Sequence, residues 1–496
     1  MTDKLNPNPK KYTTFIAVSG GILTAVALIS LLNWFSQYLK TQKPIASPPP
    51  QTTQPKTPTE NPSPTSIDTQ LKAKAEKIAI LDSQSVEFPG DKVGLTEIMA
   101  IKTPYIPETS ELQPFESKEL DIARQAWAYF EHNWHEETGL VNSANDFPSV
   151  TLWDQTAALA AVVSAYELGI IPQDEFNNKI KTSLETIKNL ALYKQELPNK
   201  VYNAKTLIPV NYGQLDKQEE IGWSAIDLGR LALWLKIIGN KYPQFRVATT
   251  AIWESWNLER LVKNGQLYGT SVVNGKETYN QEGRLGYENY AAYGFKLWGL
   301  EVEKALDYEN KSVFVNLYNV GIPYDVRDYH NSEANNYVLS EPYFLDGIET
   351  GFQSLPKAYA DRILKAQENR YQVTKQLTAL TEDNLDREPY FVYNTLFVNG
   401  KPWSTITDTR ENHNNLRFLS TKAAIGWHVI YNTEYTKQLT KFVRENLASE
   451  KGWYNGFYEY DQKPNQSLTA NNNGIILESM LYLKVRKPLL VWAGVK

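Results

Sequence analysis

Acidic residues beside aromatic residues recur where helical segments of this chain begin. Asp154 follows Trp153 at the start of one segment, Asp227 lies inside a second, and Glu282 and Glu288 surround the start of a third. Cleavage of a glycosidic bond needs two carboxyl groups, one to protonate the leaving oxygen and one to activate water or attack the anomeric carbon. These four acids are therefore the candidate catalytic residues.

Other side chains near these acids have the chemistry to hold a sugar. Aromatic rings stack on sugar faces, while guanidinium, carboxylate and amide groups bind hydroxyls. The candidate substrate-binding residues are Trp153, Trp223, Arg284, Tyr287, Glu341, Asp346, Trp427 and Asn473. The expected partner is thus a poly- or oligosaccharide. No metal site and no cofactor is predicted, because His132 and His135 have no evident third ligand and read as surface residues.

Each acid also has a simpler interpretation. Asp154 and Glu288 suit the first turn of a helix, where the helix dipole favours negative charge. Asp227 could form a buried pair with Arg230, three residues later on the same face. Asp346 could lie on a solvated face. Recurrence favours chemistry, because four or five similar helices each begin near acids with aromatic neighbours.

The helical segments fall into two alternating types. One type is rich in small and aromatic residues, and it comprises 151–169, 222–239, 286–300, 340–352, 418–431 and 473–485. The other type is amphipathic and comprises 119–134, 173–192, 243–261, 358–380 and 435–447. This alternation predicts an all-α (α/α)6 toroid barrel of helical hairpins, in which the starts of the inner helices converge on one cleft. Turns at Asn274-Gly275 and Asn399-Gly400 predict small β-hairpin excursions. A linear helical solenoid is the alternative, although no constant short repeat supports it.

Composition excludes several classes of function. The 496 residues contain no cysteine, which rules out disulfides, zinc–thiolate sites and cysteine nucleophiles. Residues 1–65 hold six lysines and two acids, a charge of +4. Since the net charge of the whole chain is −5, the rest of the chain carries about −9. A body this acidic lacks the electrostatic footprint of a nucleic-acid-binding protein.

The composition of the first 65 residues predicts a membrane anchor followed by a flexible tether. No charged residue occurs between Tyr12 and Leu39, and this stretch is long enough to cross a bilayer. Lysines on both sides slightly favour a cytoplasmic N-terminus, while a cleaved signal peptide is the alternative. The predicted organisation is a cytoplasmic tail (1–12), a transmembrane helix (13–35), a Pro-rich linker (36–65), a lead-in segment (66–114) and the barrel (115–490). The C-terminal domain is therefore expected outside the cytoplasm of a single-pass membrane protein.

Several stretches resemble a bacterial family catalogued as domain of unknown function 3131. They begin at Leu152 (LWDQTA), Ile221 (IGWSAIDLGR), Gln281 (QEGRLGYE), Leu419 (LSTKAAIGW) and Gly452 (GWYNGFYE). The family is distantly similar to the six-hairpin glucoamylase-like group that includes the β-1,2-glucanases of glycoside hydrolase family 144. That resemblance implies the (α/α)6 fold and an acid near Asp227. The acid of the glucanases' G-Y-N-E segment would fall on Asn289, with Glu288 one position earlier.

Together these features predict a membrane-anchored extracytoplasmic glycoside hydrolase that acts on a glucan or envelope polysaccharide. The alternative is a non-catalytic polysaccharide-binding or envelope-assembly protein on the same fold. The sequence does not indicate whether the protein has protein partners.

Overall fold

The computed structural model describes residues 64–88, 115–352 and 354–495. The predicted cytoplasmic tail, the predicted transmembrane helix at 13–35 and all but the end of the predicted linker lie outside these residues. Within the described ranges, no helix combines the length and apolarity needed to cross a membrane. The predicted linker ends two residues early, because a helix already begins at Pro64.

Six helices with largely buried residues form an inner ring. They are α3 (Leu152–Glu167), α5 (Ala225–Lys241), α7 (Tyr287–Lys296), α8 (Glu341–Leu345, continued by a π-helical turn, Asp346–Thr350), α10 (Thr421–Tyr431) and α12 (Ala470–Val485). Helix α5 packs on α3 and on α7, α10 packs on α8 and on α12, and α12 packs on α3. Between α7 and α8 the contact is at the helix starts, where Gly286 lies against Pro342. The predicted barrel architecture is thereby confirmed for the described residues.

Amphipathic helices surround this ring. They are α2 (Ser117–Asn133), α4 (Gln173–Asn189), α6 (Arg246–Glu254), α9 (Ser354–Thr374) and α11 (Glu434–Asn446), each preceding an inner helix. Between α7 and α8 the outer helix is replaced by a β-hairpin, β3 (Ser312–Leu317) paired with β4 (Val320–Asp325). Helix α1 (Pro64–Gln84) precedes the barrel and contacts α9.

Short antiparallel strands form the excursions between the helices. The longer predicted hairpin is present as β1 (Gln266–Val273) and β2 (Lys276–Gln281), which pair across Asn274-Gly275. The second predicted hairpin is present as Phe397–Val398 paired with Lys401–Pro402. The remaining strands are Val86–Glu87, Trp134–His135, Leu140–Val141, Ser149–Thr151, Leu192–Tyr193, Leu197–Pro198, Val201–Asn203, Val262–Lys263, Asp383–Asn384, Phe391–Asn394, Thr405–Ile406, Phe418–Ser420, Ala448–Ser449, Gly452–Trp453, Gly456–Tyr458 and Pro464–Asn465.

Glycines allow the inner helices to approach closely. A Cβ on Gly229 of α5 would overlap Ala291 of α7, and a Cβ on Gly294 would overlap the carbonyl of Gly229. A Cβ on Gly474 would lie 2.7 Å from the carbonyl oxygen of Ala157, where α12 meets α3. The small-residue texture of the inner segments therefore serves tight packing of the ring, which draws the helix starts together.

The C-terminal end of helix α9 differs from its prediction, and the difference affects which residues reach the starts of the inner helices. The helix expected over 358–380 ends at Thr374, and the chain continues without helix from Lys375 through Glu382. The apolar run Ala379-Leu380 is fully buried, although it does not belong to the helix. This extended segment returns to the ring and brings Thr381 and Glu382 to the start of the inner helices.

Candidate active site

The starts of the inner helices meet in one hydrogen-bonded group. Trp153 at the start of α3 donates from Nε1 to Oδ1 of Asn471, at the start of α12, over 3.0 Å. Asn471 donates to Glu341 at the start of α8 over 2.9 Å, and Glu341 forms an ion pair with Lys422 of α10. Arg230, one turn into α5, donates to the same Asn471 oxygen over 2.8 Å. The predicted convergence of helix starts is therefore present.

Two candidate acids occupy equivalent places in the first turns of neighbouring helices. Thr151 caps α3: its hydroxyl accepts from the Asp154 amide and donates to the Asp154 carboxylate over 2.7 Å. Ser224 caps α5 and contacts Asp227 in the same reciprocal way, donating to Oδ1 over 2.9 Å. Such caps bind the orphan amides of the helix start. They also fix where each carboxyl group points.

Glu282 lies beside Asp227, on the segment that joins β2 to α7. Its Oε2 accepts from the backbone amide of Ala225 over 2.6 Å, directly after the cap of α5. A Cβ on Gly269 of β1 would overlap this carboxylate. Glycine at 269 thus leaves the space that Glu282 occupies.

A fourth acid, Glu382, was missed from the sequence. It accepts hydrogen bonds from the hydroxyls of Tyr287 and Thr381, the latter over 2.7 Å. The sequence signal was the run Thr381-Glu382-Asp383 after an apolar stretch, but it looked like the end of a long outer helix. Asp154, Asp227, Glu282 and Glu382 are hereafter called the acidic cluster.

Enclosure at the barrel end raises the pKa values of the acidic cluster. Burial, followed by repulsion from Glu282, raises the pKa of Asp227 to about 7. Burial raises the pKa of Glu382 to about 7, against the opposing charge of Lys422. Burial also raises the pKa of Asp154 and of Glu282, while neutral and charged donors around each of them limit the change. Asp227 and Glu382 therefore exchange a proton near neutral pH, as a general acid must.

Aromatic side chains surround the acidic cluster. Trp153 is partly exposed and contacts Tyr287 edge-to-face, with ring centroids 5.4 Å apart. Tyr337 and Tyr393, from two excursions, stack in parallel with centroids 3.8 Å apart. Tyr212, which is 48% exposed, lies within electrostatic reach of Asp227 and Glu282. Asp154, Asp227 and Glu282 are partly exposed. This end of the barrel, called the cleft below, therefore has the carboxyl groups and aromatic rings to bind a sugar and exchange protons with it.

The sequence profile of a family described as a protein of unknown function (DUF3131) matches residues 121–486. The chain belongs to this DUF3131 family. No curated protein sequence is significantly similar to it.

Several solved structures share the fold of this chain. A putative glucoamylase from Bacteroides fragilis has a TM-score of 0.54 at 12% identity, covering 78% of this chain and 95% of its own. An endo-β-1,2-glucanase from Chitinophaga pinensis, in complex with sophorotriose and glucose, has a TM-score of 0.53 at 13% identity, covering 76% and 94%. A β-1,2-glucanase from Parabacteroides distasonis has a TM-score of 0.55 at 12% identity, covering 76% and 58%. At these identities the likeness establishes the glucoamylase-like fold.

Two candidate residues of this DUF3131 chain lie outside the acidic cluster, one in ion pairs and the other in hydrogen bonds to a loop. Glu288 is fully buried, and its Oε2 is 2.9 Å from Lys311 Nζ and 2.7 Å from an Arg327 nitrogen. Arg284 donates to backbone carbonyls of Arg327 and Gly283, which fastens the loop before α7. The structure therefore gives Glu288 and Arg284 structural partners, and the proposed catalytic role of Glu288 has no geometric support.

Three further candidates lie in the packed interior. Trp223 is fully buried and donates to the carbonyl of Tyr268 over 3.1 Å. Trp427 is also fully buried, edge-to-face with Phe344. Asn473 is fully buried and binds the backbone of Trp453. Their expected contact with substrate does not fit this burial, because each side chain faces protein rather than the cleft.

The two remaining candidates, Glu341 and Asp346, are both buried on inner helix α8. Glu341 is fully buried beneath the cleft as the partner of Lys422 and Asn471. Asp346 lies more than a turn farther along the same inner helix, where it accepts from Thr350, and burial raises its pKa to about 7. It is 8% exposed, so the alternative of a solvated face is wrong.

The two histidines have separate polar partners and share none, and His132 also lies 2.9 Å from Lys451 Nζ. His132 is 2.8 Å from Asp146, and His135 is 2.7 Å from Asn142. Within the ranges that the structure describes, no three histidine, aspartate or glutamate residues are arranged to hold a metal ion.

Proposed function

We propose that this protein is a glycoside hydrolase that acts on a glucan or envelope polysaccharide, with the acidic cluster as its catalytic centre. The observation that carries the proposal is Asp227. Its carboxyl group retains a proton to about pH 7 at the accessible end of the barrel, beside an acid that backbone and hydroxyl donors hold in place. Similarity of fold to β-1,2-glucanases supports the choice of substrate class.

Asp227 has the properties of the general acid. It would protonate the glycosidic oxygen as the bond to the anomeric carbon breaks, and would be left as the carboxylate. A second, ionised carboxylate must then activate water or attack the anomeric carbon. Asp154 and Glu282 are the candidates for this second role, since their hydroxyl and amide donors favour the charged form. Glu382 and Tyr287, which are hydrogen-bonded to each other, lie ready to bind sugar hydroxyls.

The same proposal includes a tethered location. The uncharged stretch 13–35 would anchor the chain, and the Pro-rich linker would hold the barrel away from the bilayer on the extracytoplasmic side. Protease protection of the barrel in sealed and opened spheroplasts tests this part separately. Digestion without opening the inner membrane supports it, and digestion only after opening refutes it.

Reducing-end release from a glucan panel tests the activity. The purified protein is incubated with β-1,2-, β-1,3-, β-1,4- and α-1,4-glucans, beside the Asp227→Asn, Asp154→Asn, Glu282→Gln and Glu382→Gln variants. The matched control is Asp174→Asn, because Asp174 is likewise a first-turn acid but is exposed on outer helix α4. Cleavage that is lost in folded Asp227→Asn and kept in Asp174→Asn is the expected result. Saccharide binding without cleavage by the wild type would favour the non-catalytic alternative.

A further inference from the structure

Trp153 is held from several sides while part of its indole remains exposed. Its Nε1 donates to Asn471 over 3.0 Å, and the guanidinium of Arg230 lies 4.7 Å from the ring centroid. The rings of Tyr287 and Tyr290 meet it at steep angles, with centroids 5.4 and 6.0 Å away. An indole restrained by a hydrogen bond, a cation and two aromatic edges has little freedom to change rotamer.

Asn471 connects this indole to the charged groups beneath it. It is the first of three consecutive asparagines, and it is partly exposed whereas Asn472 and Asn473 are fully buried. Its oxygen accepts from both Trp153 and Arg230, and its amide nitrogen donates to Glu341. These three bonds fix which way the amide points, because exchange of its nitrogen and oxygen would break all of them.

Arg230 is fixed in turn by groups at the barrel axis. It is fully buried and donates to Glu478 of α12, rather than to Asp227 on its own helix. Glu349 stands beside Glu478 and accepts from Trp234 over 2.7 Å and from Tyr290. Burial raises the pKa of Glu478 against the opposing charge of Arg230, and the nearby Glu349 carboxyl adds to the rise.

We propose that Trp153 forms the floor of a sugar subsite next to the acidic cluster, and that Asn471 and Arg230 are positioning residues that hold its indole in place. This inference rests on the proposed function. The ligand class is a neutral hexose unit, whose apolar C–H face stacks on an indole. Asn471 and Arg230 act through Trp153, and therefore affect how tightly the sugar is held more than they affect the breaking bond.

Two substitutions remove the same hydrogen bond from opposite sides. Asn471→Ala deletes the acceptor, and Trp153→Phe deletes the donor while it keeps an aromatic ring. Each should raise KM for a β-1,2-glucan about tenfold and leave kcat within about threefold, since a ground-state contact of about one hydrogen bond is lost. The double variant should lose less binding than the sum of the two single losses, because both changes remove the hydrogen bond between Trp153 and Asn471.

Asn472→Ala is the matched control for a purely structural effect. Asn472 is a buried amide on the next position of α12, and it donates to the carbonyl of Trp453 over 2.9 Å. We expect this variant to lower Tm and to leave KM unchanged. An unchanged KM in Asn471→Ala, an equal rise in Asn472→Ala, or additive effects in the double variant would each overturn the positioning role.

Binding separates failure of the inference from failure of the proposed function. The same variants are titrated calorimetrically with β-1,2-linked gluco-oligosaccharides, which does not require turnover. A wild type that binds but does not cleave refutes the hydrolase proposal, while about tenfold weaker binding by Asn471→Ala still supports the subsite. A wild type that neither binds nor cleaves any glucan of the panel refutes both.

Discussion

Replacement of Asp227 by asparagine should abolish activity and, at alkaline pH, make the protein more stable. The amide keeps an acceptor for the Ser224 hydroxyl but carries no charge. An unperturbed aspartate has a pKa of about 3.9, and burial with repulsion from Glu282 raises the pKa of Asp227 to about 7. The folded state therefore holds this proton more tightly than the unfolded state does.

The sign and size of the stability change follow from that difference. A carboxyl group whose pKa is raised by folding opposes folding once the pH exceeds its unfolded pKa, and the effect is complete above its folded pKa. A difference of about 3, at 1.36 kcal/mol for each pH unit, amounts to about 4 kcal/mol. Asp227→Asn should thus gain up to about 4 kcal/mol over the wild type at pH 8.5, and less than about 1 kcal/mol at pH 4.

Urea unfolding at both pH values measures this gain, and initial rates measure the activity. Loss of a general acid costs about 10²- to 10⁴-fold in rate. The wild type should lose activity as the pH rises through about 7, because Asp227 loses its proton there, whereas an aryl glycoside with a good leaving group should partly restore turnover by Asp227→Asn. Asp174→Asn, on an exposed helix start, should change neither property. Equal stability gains at both pH values, or full activity on glucan, would refute the assignment.

Three further predictions address the surroundings of the site. Gly269→Ala places a methyl group where the Glu282 carboxylate lies, so initial rates should fall at least tenfold. The free energy of unfolding, measured with urea, should fall by only about 1–3 kcal/mol. Unchanged rates would mean that Glu282 is not needed for activity. Glu288→Gln removes the buried carboxylate that pairs with Lys311 and Arg327, and should lower the free energy of unfolding by about 3–5 kcal/mol. The kcat of the folded protein, measured at low temperature, should not change. A large loss of kcat would restore Glu288 as a catalytic candidate. Asp82→Ala removes the carboxylate of α1 that binds Arg370 and Arg417 and should cost about 3–5 kcal/mol by urea unfolding, and a negligible cost would mean that α1 is not integral to the folded domain.

The helical order was readable from the sequence because it depends on local patterns. Small-residue inner segments and amphipathic outer segments alternate along the chain, and short loops force neighbouring segments to pack together. Asp154 could be found for the same reason, since it is the third residue of its helix behind a Thr cap. Asp227 was expected inside a helix, whereas the structure places it in the first turn, behind Ser224.

The partners of charged residues were much harder to predict. One interpretation paired Arg230 with Asp227, yet Arg230 pairs with Glu478, which is 248 residues away along the chain. Glu288 looked equivalent to the first-turn acids of the cluster, but it is bound by Lys311 and Arg327, which flank the following hairpin. Such partners are set by tertiary contacts, which neither periodicity nor capping patterns encode.

Helix-start chemistry and catalysis were posed as competing interpretations of Asp154, but the structure makes them compatible, and it repeats the same arrangement at Asp227. In each case the cap hydroxyl accepts from the backbone amide of the acid and donates to its carboxyl group. The cap therefore satisfies an orphan amide and also locks the rotamer of the acid, which is the preorganisation that proton transfer requires. Because inner helices of a closed ring all start at one end, the same local motif repeated on neighbouring helices places several oriented carboxyl groups around one space. A cap substitution such as Ser224→Ala should consequently cost activity beyond its cost in stability, since the free Asp227 side chain would no longer point to one place.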